Sequence, residues 1–220
     1  MPEPHDVLLV FLAAREGCMS ELYPALATER DAWSRTGAAD GFVRIADDPF
    51  AAFQPGMRGF DATLELRAPA GEHPLVLEGF AERFAHLAHL DLSAVVSGVE
   101  HAFVPGEAGP VRYQYLMRRR HDLGHDAYLA HYRTRHAAIG IRTGGHQGYS
   151  QVHSMPVASA GLARAAGLGN WAADSVSRLW IASVEDFLAN AGPAGVEAVA
   201  DEKGFVDGAN SVMFASTRLA

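Results

Sequence analysis

The sequence predicts an α+β protein in which one βαββαβ unit occurs twice. Two observations carry this: short apolar or alternating runs and amphipathic stretches follow each other in the same order in both halves, and a Pro/Gly-bounded segment, PGEAGP at 105–110, separates the halves. In the first half DVLLVFLA (6–13) suits a buried strand. A helix follows over about 20–35, with Ser20 as N-cap and Leu22, Leu26 and Trp33 near helical spacing. FVRIA (42–46) and FDATLELRA (60–68) read as strands. Residues 74–90 read as one amphipathic helix with Leu77, Phe80, Phe84, Leu87 and Leu90 on its stripe. SAVVSGVEHAFV (93–104) closes the half as a strand.

The second half repeats the order. VRYQYLMRR (111–119) is a strand, 126–139 a helix, GYSQVHSM (148–155) and SVSRLWIA (175–182) strands. SVEDFLANA (183–191) opens with a Ser–x–x–Asp capping pattern and supplies the second helix. NSVMFASTR (210–218) is the last strand. Each half is thus a ferredoxin-like split βαβ unit, 1–106 and 107–220, whose helices cover one sheet face only. The bare faces must be buried, so the two sheets are expected to pack face to face as an α+β barrel within one chain. Internal duplication removes the need for a dimer and leaves a homodimer open.

Composition narrows the function. At 49% hydrophobic and 20% charged residues, the 220-residue chain has material for a globular core. A net charge of −8 argues against nucleic acid as the main partner. Residues 1–110 hold 7 basic and 17 acidic side chains, and 111–220 hold 11 and 9, read as differently solvated surfaces. VLLVFLAA (7–14) is too short to span a bilayer and lacks a basic flank, so neither signal peptide nor anchor is expected, and a cytoplasmic protein is the plain reading. One cysteine, Cys18, excludes a Cys-rich metal site. His121 and His125 are four apart, but the glycine in HDLGH reads as loop, so no metal site is expected.

The chemistry concentrates in residues 128–153, which hold four of the 11 histidines and three of the six tyrosines. On a helix Tyr128, Tyr132 and His136 share one side. On the following strand Tyr149, Gln151 and His153 share one face and Ser150, Val152 and Ser154 the other. Val152 suits helix packing, so the Tyr–Gln–His row is expected to face the barrel interior. An unpaired buried polar group costs about 1–3 kcal/mol, so the row implies a wet or ligand-filled cavity. Tyr113 and Tyr115 alternate on one strand face and read either as cavity lining or as ordinary sheet residues. His131 reads as a solvated helix residue, and the arginine run 118–120 as a solvated strand end. The Gly/Ala-rich stretch 156–174 reads as a lid over the barrel mouth, with Trp171 its aromatic.

YLMRRR, YLAHYRTRH, GYSQVH, ADSVSRLW, SVEDFLA and DEKGFVD, in this order, give residues 111–218 a resemblance to the EthD domain family of the dimeric α+β barrel group. The first half resembles a diverged copy without the helix-end histidine or the GYxQxH strand. The resemblance implies a small, cofactor-independent enzyme of catabolic or secondary metabolism. Its substrate would be a small aromatic, phenolic or lactone-like molecule, and its reaction a proton transfer of isomerase or lyase type. It implies His136 as general base or acid and His153 as a second proton-transfer or orienting group, with Tyr132, Tyr149 and Gln151 in support. Two other readings stand beside it: an oxidoreductase, either haem-binding or a cofactor-free monooxygenase of xenobiotic degradation, and a non-catalytic binding protein. The chain departs from the family pattern at Ala137-Ala138, where Ala-Pro is usual, at Val152, where Asn is frequent, and at Arg178, where a glutamate is common.

Overall fold

A computed structural model describes residues 3–53, 59–106 and 109–220. Residues 107–108 of the expected inter-half segment lie outside the described residues. Among the described residues eight strands form: β1 (His5–Leu12), β2 (Ala38–Arg44), β3 (Ala62–Arg67), β4 (Ala94–Val104), β5 (Val111–Met117), β6 (His146–Ser154), β7 (Ser175–Ile181) and β8 (Val212–Arg218). They close into one antiparallel barrel in the order β1-β3-β2-β8-β5-β7-β6-β4. Each half contributes four neighbouring strands in the same relative order, β4-β1-β3-β2 and β8-β5-β7-β6.

The halves therefore do not meet as two separate sheets. They are hydrogen-bonded edge to edge, β2 to β8 with Val43 opposite Thr217, and β4 to β6 with Val99 opposite His153. Closure leaves no exposed strand edge between the halves. The inside is filled by alternate residues of the strands. One end is apolar, with Leu9, Phe11, Val96, Val152, Val176 and Phe214. The other end holds charge. Glu65 lies 2.7 Å from Arg112 and 2.8 Å from Arg178 and Arg67, and Arg178 also reaches Glu100. The Arg112 guanidinium sits between Phe42 and Trp180, 4.3 and 4.1 Å from their ring centres. Burial alone would raise the Glu65 carboxyl, but the arginine charges outweigh it and hold it well below the usual range. Arg178, where the family pattern has a carboxylate, thus finds its carboxylates on the first half.

Helices cover the outside. In the first half these are α1 (Met19–Trp33), α2 (His73–Leu77) and α3 (Phe80–Phe84). Ser20 lies inside α1, whose cap position is Cys18 with no side-chain cap bond. The helix expected over 74–90 is broken, because Glu78 turns extended and Gly79 takes φ +65°, a left-handed conformation that glycine adopts without strain. In the second half lie α4 (His125–His131), a π-helical turn (Tyr132–His136) leading into α5 (Ala137–Gly140), α6 (Pro156–Ala165), α7 (Val184–Asn190) and α8 (Gly192–Glu202). The Ser183 hydroxyl caps α7 by accepting from Asp186 N at 3.0 Å. The helices α6 and α8 were not expected from sequence. α6 starts on Pro156 and packs on β4, so 156–165 is a structural helix and not a lid. Among the described residues, no helix is long and apolar enough to cross a membrane.

Candidate active site

Strand alternation decides what faces the helix layer of the second half. On β5, Arg112, Gln114 and Leu116 point into the barrel, so Tyr113, Tyr115 and Met117 point out. On β6, Val152 belongs to the interior cluster, so Tyr149, Gln151 and His153 point outward to the helices. This reverses the expected orientation: the polar row faces the sheet–helix layer and not the barrel interior. The assumption that failed was that Val152 packs on helices; a closed barrel needs apolar residues inside as well.

Between this sheet face and helices α5, α7 and α8 lies a cavity of about 660 Å³. Tyr113, Tyr115, Tyr149, Leu179 and Met213 line its floor, and His136, Glu202, Phe187 and Val199 its walls. Leu188, Val196 and Val199 stay 47, 74 and 57% exposed at its rim. Of the eight residues singled out from sequence, His136, Tyr113, Tyr115 and Tyr149 line the cavity. Tyr132, Gln151 and His153 form a buried shell behind it. Trp171 is elsewhere: it packs on Phe60 at 6.1 Å and lies under Arg118 at 5.9 Å, beside the apolar end of the barrel interior. The lid role expected for Trp171 is not seen.

The π-helical turn places His136. Tyr128, Tyr132 and His136 are all buried on one side, as their spacing requires, with ring centres 5.9 and 5.6 Å apart in succession. Phe205 packs against His136 at 5.1 Å and against Tyr132 at 6.1 Å. π turns inside α-helices are frequent at functional sites. His136 Nδ1 lies 3.1 Å from Asp201 Oδ2, which also receives His131 Nε2 at 3.0 Å, and Arg135 Nε lies 2.9 Å from Asp201 Oδ1. His131 is therefore part of the site's support and not a simple solvated residue. Asp201 accepts only, so Nδ1 carries the hydrogen and Nε2 keeps its lone pair. Nε2 in turn lies 3.8 Å from Glu202 Oε1. Burial lowers the His136 pKa, against the raising effect of Asp201, so the ring is neutral at neutral pH. For Asp201 burial alone would raise the pKa, but the hydrogen bonds and charges of His131 and His136 win and hold it low.

The polar row resolves into a chain of defined direction. Gln151 Nε2 lies 3.0 Å from the Tyr132 carbonyl, which can only accept, so the amide nitrogen faces it. Gln151 Oε1 then faces His153 Nε2 at 3.0 Å, so His153 carries its hydrogen there. Burial, then the charges of His101, Arg133 and His125, lower the His153 pKa to about 3 and keep it neutral. The Gln151 amide also donates to the Tyr149 hydroxyl at 2.5 Å, leaving Tyr149 its own proton to donate. The Tyr149 ring lies against Gly140, where an added Cβ would come within 2.6 Å of it; glycine makes room for the ring. Burial raises the pKa of Tyr113, Tyr115 and Tyr149, so the cavity floor presents neutral phenols.

Asp201 and Glu202 were not singled out as site residues. The DEKGFVD stretch is legible, but α8 is not. A signal does exist, because two acids end a helix, where the macrodipole favours cations. Asp201 is matched there by Arg135 and the two histidines.

The family model of the EthD domain matches residues 120–209. No curated protein matches the sequence. Among solved structures, an anthrone oxidase-like protein superposes with a TM-score of 0.63 at 14% identity, covering 100% of this chain and 92% of that one. A haem-binding protein from Thermus thermophilus gives 0.56 at 14% identity, covering 100% and 92%. A mutant chlorite dismutase from Candidatus Nitrospira defluvii gives 0.57 at 13% identity, covering 97% and 92%. At these identities the likeness is one of fold, a closed eight-stranded α+β barrel.

Proposed function

Starting from the match to the EthD domain at residues 120–209, which supply most of the cavity's lining, we propose that this cavity is an active site. In it His136 removes a proton from a compact aromatic, phenolic or lactone-like molecule without a bound cofactor. The observation that carries the reading is the Asp201–His136 pair, with Nδ1 held and Nε2 bare beside the cavity. A held, neutral imidazole is a competent base near neutral pH. Tyr149, aimed by Gln151 and His153, donates a hydrogen bond to an oxygen of the ligand. Tyr113 and Tyr115 supply aromatic floor, with Tyr132 stacked behind His136. His153, neutral and one residue behind the wall, acts as a positioning residue and not as a second proton carrier.

Proton removal is the first step shared by two outcomes. Return of the proton at another position is an isomerisation; capture of the carbanion by dioxygen is a cofactor-free oxidation. The likeness to an anthrone oxidase-like protein favours the second as the overall class. Haem, the alternative cofactor, suits the residues poorly. Among the described cavity-lining residues Lys203 is the only cation available to two propionates.

The test uses anthrone, a tricyclic ketone whose methylene protons exchange through its enol. In D2O the protein is expected to accelerate that exchange, and His136→Ala to slow it by about 100-fold or more. The fold should survive, because Asp201 keeps His131 and Arg135. Repeating the reaction with and without oxygen separates oxidation from isomerisation. Exchange unaffected in His136→Ala ends the assignment; tight anthrone binding with no exchange would make the protein a binder.

Residues 1–106 and 107–220 are, on this proposal, two ferredoxin-like repeats, and the site is built mainly on the second. The matching strand order of the halves supports this division.

A further inference from the structure

Glu202 stands on the cavity wall in a different situation from its neighbour. Asp201 gathers His131, His136 and Arg135, whereas the nearest basic atom found for Glu202 among the described residues is His136 Nε2, at 3.8 Å. Apart from Lys203, the other groups around it are uncharged or acidic. Tyr113, Tyr115, Tyr128, Tyr132 and Tyr149 all feel its charge, Asp201 precedes it, and exposed Lys203 follows it on the cavity wall. Its side chain keeps 24% exposure, and it lines the cavity. Burial, then the Asp201 charge, push its carboxyl up to about 7, so near neutral pH a substantial fraction is the neutral acid.

We propose that Glu202 is a second catalytic residue, a general acid acting together with His136 on one enolisable carbonyl compound. This rests on the reading of the cavity given above and narrows its substrate class to molecules with a C–H bond next to a carbonyl. His136 Nε2 takes the proton from that carbon, and the C–H electron pair becomes a C=C bond. The carbonyl π pair takes the Glu202 proton, and an O–H bond forms. The substrate leaves the step as its enol, with His136 an imidazolium and Glu202 a carboxylate. Transfer of the Nε2 proton to the carboxylate resets both groups, so the step needs no oxidant. A separation of 3.8 Å suits groups acting on two nearby atoms of one H–C–C=O unit.

The two groups set opposite limbs of a pH profile. The base must be neutral, so the rate rises with pH through the lowered His136 pKa. The acid must be protonated, so the rate falls as pH passes about 7. Methylene exchange of anthrone in D2O is followed against pH for the wild type, Glu202→Gln and His136→Ala, with anthrone affinity measured alongside. The expected result is a bell for the wild type. Glu202→Gln should bind anthrone within about twofold of wild type, lose about 10-fold or more in exchange rate, and lack the limb near pH 7. An unchanged alkaline limb in Glu202→Gln would overturn the proposal while leaving His136 in place. Exchange that survives His136→Ala would instead overturn the site reading. Carbon-13 NMR of carboxyl-labelled glutamate gives a check that needs no substrate. A Glu202 midpoint near 7 in the wild type supports the role, and a midpoint in the ordinary glutamate range contradicts it.

Discussion

The two outer layers of the barrel lie on strands of the same order, yet one is full and the other open. Over the first half, Leu22, Leu26 and Trp33 of α1 meet Phe80 and Phe84 of α3 on Leu8, Val10, Leu64 and Leu66. Phe80 and Phe84 stack with centres 4.5 Å apart. Trp33 Nε1 donates to Glu29, which Arg83 also holds at 2.8 Å. Over the second half, α8 buries only Ala194 among its 11 residues, and the space it leaves is the cavity. Phenols, a histidine and two carboxyls stand where the first half has leucines and phenylalanines. A packed helix contributes stability; an underpacked one gives that up and leaves room for a ligand.

The comparison can be broken most forcefully by truncation. Phe80→Ala should cost about 3–5 kcal/mol, since it opens a cavity in a filled layer. Phe187→Ala, on the wall of an existing cavity, should cost less than about 2 kcal/mol. Urea unfolding of both variants checks the order, and equal costs would mean that the second layer is as tightly packed as the first. Filling the open layer is the converse. Val199 is more than half exposed and faces the cavity rim, so Val199→Trp should weaken anthrone binding by more than about 10-fold while stability stays within about 0.5 kcal/mol.

A further effect is on pH dependence. His153 titrates at about 3 when folded and near 6.5 when unfolded. Between those values the unfolded chain binds more protons, so stability falls as pH drops. The contribution is complete above about pH 6.5 and is lost progressively towards pH 3. His153→Gln should flatten that slope in thermal melts. Part of the slope remains, because burial also lowers the pKa of His73 in the first layer.

Much of this was legible from residues. All eight strands were, from runs such as DVLLVFLA or SVSRLWIA bounded by turn residues, although β2 begins at Ala38, four residues ahead of the expected 42–46. The stacked side of Tyr128, Tyr132 and His136 followed from helical spacing. The helix over 192–202 did not, because Gly192, Pro193 and Gly195 argue against a helix and Ala194 is its one buried residue, leaving little apolar periodicity to read. With α8 unseen, Asp201 and Glu202 could not be placed beside His136, although they are 65 and 66 positions further along. The facing of β6 was misjudged for a different reason. Alternation gives two faces, and only barrel closure tells which one is inside.

The most direct test of the central claim is a methyl-labelled NMR titration with anthrone. Shifts confined to Leu179, Val199 and Met213 around the second-half cavity, with Leu22, Leu26 and Leu64 of the first layer unmoved, are predicted. Shifts centred on the first layer, or none at the cavity methyls, would contradict it.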